Sequence, residues 1–181
     1  NIDEQTMENL WTSNIHEEKL LLGLLIGQIK FTTFEAAQLT LLRFAEKVDN
    51  WAVCDLFVSA LKPVIKRYHE AFYKTAIELA NHQNDWRIRL GLVMMLSYYI
   101  EAQKIDEILK ISNSIRSDAY YVRMANAWML SYVYIADKKK TTDFLSHSQL
   151  DSWTINKAIQ KIRESNRVAN DDKISVLQYK R

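Results

Sequence analysis

The segment DNWAVCD (49–55) holds two residues whose types and spacing suit chemistry on a cation. Trp51 and Asp55 are four apart, so on a helix they share a face and can border one opening. A carboxylate attracts positive charge directly, and an indole does so through its ring face. The bland alternative is a buried tryptophan beside an aspartate that favours the dipole of a helix start. In DWRIR (85–89), Trp86 and Arg89 are three apart on one face, and Arg87 joins Arg89 on the first turns. The helix dipole disfavours arginine there, which asks for another reason such as a phosphate partner. A surface salt bridge would serve as well. In YYVRMANAWML (120–130), Tyr121, Ala125 and Trp128 recur at i, i+4 and i+7, a stripe that fits either a site wall or the core. In WTINKAIQKIRESNRV (153–168), Lys157, Lys161 and Arg167 can point outward together as a basic ridge or as an ordinary solvated face.

Other chemistries find no support. His16, His69, His82 and His147 lack ligand spacing, so no metal site is expected. The single cysteine, Cys54, excludes an internal disulfide and reads as core, because it points away from Trp51 and Asp55. One cysteine fits a reducing, intracellular setting. The start NIDEQTMENLW is acidic and polar, unlike a signal peptide, and no run of 18 apolar residues is present to span a membrane.

The elements that position these residues follow from composition. Of 181 residues, 48% are hydrophobic and 25% charged, enough for a continuous core and ordinary for a folded domain. Only three glycines and one proline are present, too few for the tight turns of sandwiches, barrels or doubly wound sheets. Gly23, Gly27 and Gly91 form no phosphate-cradling loop. The chain is therefore expected to be all-α, a single domain over residues 1–181. About eleven helices are predicted, with caps at Asn14, Thr33, Asp49 or Asn50, Asp85, Ser117 or Asp118, and Asp151 or Ser152. Pro63 is expected in the first turn of one long helix reaching Ala80, and Lys138–Lys140 in a loop. Three aromatic-bearing helices start near Trp51, Asp85 and Ala119, about 34 residues apart. That period fits an α-solenoid of stacked antiparallel helix pairs of HEAT-like type. Net charge is only +2, with the positive excess concentrated after residue 152.

Together, VDNWAVCD, WRIRLGLVMML, YYVRMANAWML and NKAIQKIRESNRV resemble the AlkD-like family of DNA alkylation repair proteins, over residues 15 to 178. The resemblance is most specific in the W-x-x-x-D and A-x-A-W elements. It implies a monofunctional DNA glycosylase that removes cationic N3- or N7-alkylated purines from duplex DNA, with no cofactor and no metal. It implies that Asp55 is the catalytic carboxylate and that Trp51 and Trp128 pack on the sugar and phosphate of the lesioned nucleotide. Arg89 would hold a phosphate, with Arg87, Trp86, Tyr121, Lys157 and Lys161 as further DNA contacts. A monomeric cytoplasmic protein of bacterial, nucleoid-associated type is implied as well. Two features depart from the family pattern. The family's additional N-terminal helices are absent or only partly present, and the net charge is low for a duplex binder. A non-catalytic member that binds damaged or branched DNA, and a helical protein–protein scaffold, stay open as alternatives.

Overall fold

The computed structural model describes residues 3–181. Among the described residues the chain forms twelve α-helices and a closing 3₁₀ turn, with no strand. They are α1 (Glu4–Thr12), α2 (His16–Ile26), α3 (Phe34–Ala45), α4 (Trp51–Ala60), α5 (Lys62–Arg67) and α6 (His69–Ala80). There follow α7 (Asp85–Tyr98), α8 (Ile105–Ser114), α9 (Tyr120–Ala136), α10 (Lys138–His147), α11 (Ser152–Glu164) and α12 (Asn170–Ser175). The 3₁₀ turn spans Val176–Tyr179.

Short polar residues start half of these helices by accepting a bond from a free first-turn amide. Asp3, Thr33, Asn50, Asn84, Asp137 and Asp151 all do so. Several expected boundaries shift. The cap of α7 is Asn84, whose side chain accepts from Trp86 and Arg87, so Asp85 is the first helical residue. Asn14 does not cap α2, which starts after Ile15 without a side-chain bond. Neither Ser117 nor Asp118 caps α9, which starts after Ala119; the Ser117 hydroxyl instead accepts from the Ala119 amide. Lys138–Lys140 are helical, because Asp137 accepts from the Lys140 amide at 2.9 Å and turns the lysines into the first turn of α10. Pro63 does lie in a first turn, but the expected long helix breaks at Tyr68, which leaves helical dihedrals (φ −124°, ψ 40°).

The helices stack in two layers. α2, α4, α7, α9 and α11 pack successively side by side, while α6 and α10 lie against α7 and α9 in the other layer with α3 and α8. The result is the α-solenoid of antiparallel helix pairs. Its period is written in the polar links between neighbouring pairs. Asp55–Arg89, Glu70–Lys104, Tyr73–Glu107, Asp106–Lys140 and Lys138–Asp172 are each 34 residues apart. Equivalent positions of successive pairs thus face each other, as stacking of a repeated unit requires.

α7 is the centre of the stack. Packed between α4, α6 and α9, it buries residues on every side, and Leu90, Leu92, Met94 and Met95 are wholly inaccessible. A helix enclosed in this way has no solvent stripe to give it amphipathic periodicity. Gly91 lets α6 approach α7 closely: a Cβ there would stand 2.6 Å from both the Ala76 carbonyl oxygen and the Ala80 amide nitrogen. The obstacle is backbone, which cannot rotate aside. Gly91→Ala is expected to destabilise the fold by about 1–3 kcal/mol through overpacking, read as a lower urea midpoint. An unchanged midpoint would mean that the helices separate at no cost.

Candidate functional site

Helix starts converge on one face of the first layer. Asn50 accepts from the Val53 amide and fixes the first residue of α4 as Trp51, which no preceding turn covers and which stays 53% exposed. Tyr120 and Tyr121 open α9 in the same way and are also exposed. Trp51, Arg89, Tyr120, Tyr121, Met124, Trp128 and Lys161 line one open cavity of about 440 Å³. Its wall is mostly aromatic, with two cations.

Asp55 is not among the residues that line this cavity; it is bonded to Arg89, which is. The guanidinium donates to Asp55 from Nε (3.2 Å to Oδ1) and twice from Nη2 (2.9 Å to Oδ1, 2.8 Å to Oδ2). Nη1 donates to the Tyr121 carbonyl at 2.8 Å. Three of the five guanidinium N–H groups are thereby used, one Nη2–H being shared by both carboxylate oxygens, and the ring of Tyr121 lies 5.8 Å from the guanidinium carbon. One side chain thus ties α4, α7 and α9 together. The burial of the pair is unequal: the Arg89 side chain is 6% exposed, that of Asp55 25%. The member of the pair that solvent reaches is the carboxylate. Cys54 beside it is fully buried, and burial pushes its thiol pKa well up, so it is not a nucleophile.

Arg89 is buried, lines the cavity and holds Asp55 in position. Arg87 lies elsewhere, paired with Glu46 and within 3.1 Å of His82 Nε2, and does not line that cavity. Trp86 is half-buried beside the cavity and stacks on Tyr121, with ring centroids 5.3 Å apart. Lys161 does line the cavity, next to Glu164 at 2.8 Å. Lys157 does not; it belongs to a neighbouring groove.

Two wall residues escape the sequence reading. The stripe Tyr121–Ala125–Trp128 straddles the boundary between core and cavity, since Ala125 is fully buried. The wall follows Tyr120, Met124 and Trp128, at i, i+4 and i+8 of α9. The spacing signal for it is present in the sequence, one position away from the stripe chosen. Among the described residues, no three His, Cys, Asp or Glu side chains group to hold a metal ion, and no helix is long and apolar enough to cross a membrane.

Comparison with known proteins adds one match. A family model described as DNA alkylation repair enzyme matches residues 1–162. No curated protein and no solved structure matches the chain.

The Arg89–Asp55 link predicts an asymmetric response to mutation. Arg89→Ala leaves a partly buried carboxylate unpaired and three helices untied, and should cost about 3 kcal/mol in urea unfolding. Arg87→Ala, at a more exposed pair, should cost about 1 kcal/mol or less. Equal losses would contradict a structural role for Arg89.

Proposed function

The chain belongs to the family of DNA alkylation repair enzymes, and from that premise we propose that it hydrolyses the N-glycosidic bond of cationic N3- or N7-alkylated purines in duplex DNA. The bond broken joins the purine nitrogen to C1′ of the deoxyribose. The base departs with the bonding pair and leaves neutral, so it needs no general acid. Positive charge grows on the sugar, water adds at C1′, and a proton passes to solvent. The demand on the protein is an anion held beside that sugar, since charge stabilisation by preoriented groups is the main catalytic lever.

The carrying observation is the Asp55 carboxylate, held by a buried arginine that itself lines an aromatic cavity. Arg89 binds it through three contacts and costs no reorganisation during reaction. Oδ2 receives only one of them, at 2.8 Å, so it keeps lone-pair capacity for a further partner. Trp51 and Trp128 offer flat apolar walls for a deoxyribose, and the open cavity suits an enzyme that grips a lesion from outside. Selectivity would come from the lesion's own charge: an ordinary purine would have to leave as an anion, and one carboxylate gives it no help.

Single-turnover release of 7-methylguanine from methylated duplex DNA tests this directly. Asp55→Asn keeps the size and an accepting oxygen but removes the charge. It should slow release at least about 100-fold while duplex affinity stays within about twofold. Release at the wild-type rate would remove Asp55 from the mechanism. Wild-type protein that binds duplex without releasing base would overturn the hydrolytic assignment.

A further inference from the structure

Beyond Tyr120 the aromatic wall continues into a second groove of about 470 Å³ on the face of α11. Tyr120, which lines the first cavity, packs its edge on Trp153 at 5.6 Å, and Trp153 lines the second. α11 also links the two, with Lys161 in the first wall and Lys157, one turn earlier, in the second. The second groove carries Lys157, Arg163 and Lys180 and no carboxylate. Arg163 and Lys180 are exposed, and among the described residues neither has an ion-pair partner.

We propose that this groove is a sequence-independent phosphate grip, holding the DNA backbone where it runs on from the aromatic cavity. The inference takes the position of the DNA from the function proposed above. Three observations carry it. With Arg89 committed to Asp55, the first cavity keeps only Lys161 to neutralise phosphate, whereas duplex affinity depends on several such contacts. The groove's amides are occupied, Asn156 by the Arg181 backbone and Gln160 by Glu164, so what it presents is charge rather than a code for base edges. Trp153 gives Lys157 an apolar floor, with the ammonium 5.4 Å from its ring centroid.

The test uses the full chain and an undamaged 20-base-pair duplex, with fluorescence anisotropy across roughly 50–200 mM salt. The double variant Arg163→Gln/Lys180→Gln should bind about tenfold more weakly at mid-range salt. The slope of log affinity against log salt should fall by about two, since each neutralised phosphate contributes about 0.9. Lys74→Gln/Lys110→Gln removes the same charge from exposed positions on α6 and α8, in the other layer, and should leave the slope within about 0.5 of wild type. A slope equally changed by both pairs, or by neither, would overturn the proposal. So would binding of polyglutamate that weakens as duplex binding does, because the groove would then be a general acidic-polymer site. The two readings fail separately. A chain that binds duplex with the predicted slopes but releases no base keeps the grip and loses the hydrolysis. A chain that releases base while the double variant binds like wild type does the reverse.

Discussion

The site depends on a buried guanidinium that must be neutralised where it stands. Arg89 enters the stack from α7 with almost no access to water, and a charge so placed is tolerated only if it is paired and fully bonded. Asp55 of α4 supplies the charge and the Tyr121 carbonyl of α9 the remaining acceptor. The electrostatic requirement therefore fixes the mutual position of three successive repeats at the point where their helix starts form a cavity. It also fixes the carboxylate. Asp55 cannot swing to another rotamer without leaving Arg89 unpaired, so its free lone pairs keep one direction.

The repeat makes this economical. A period of 34 residues brings equivalent positions of neighbouring pairs opposite each other, and the same offset recurs in the links Glu70–Lys104 and Asp106–Lys140. Asp106–Lys140 lies on exposed side chains and contributes little, and buried Lys104 meets an exposed Glu70. The Asp55–Arg89 link differs because it turns inward. On the cavity face α4 and α9 open on an aromatic residue, since the first turn of a helix covers nothing before it and leaves a ring accessible. Trp51 and Tyr120 occupy such positions. Stability and access to the site thus come from the same geometry.

Much of the fold was legible in the sequence, for identifiable reasons. Scarce glycine and proline exclude turn-rich sheets, and the spacing of Trp51, Asp85 and Ala119 gives the period to within a residue or two of the helix starts. Caps at Thr33, Asn50 and Asp151 carry a direct chemical signal. Lys138–Lys140 were opaque because three lysines oppose the helix dipole, and only Asp137 and cross-repeat carboxylates outweigh that. At the site, Trp51, Trp128 and Lys161 border one cavity as their helical spacing allows. The pairing of Arg89 with Asp55 was not legible. An arginine's type and position say that it has a partner, not that a carboxylate one repeat earlier is among its partners. That pairing follows from the packed stack.

The central claim is electrostatic: a fixed carboxylate favours a sugar that has become positive. It is measured by comparing affinity for two duplexes, one carrying a cationic pyrrolidine in place of an abasic deoxyribose and one carrying the neutral tetrahydrofuran of the same shape. A protein complementary to the charged transition state should prefer the cationic duplex by about tenfold or more, a preference that disappears when Asp55 is neutralised. Equal affinity of the wild-type chain for both duplexes would contradict the account.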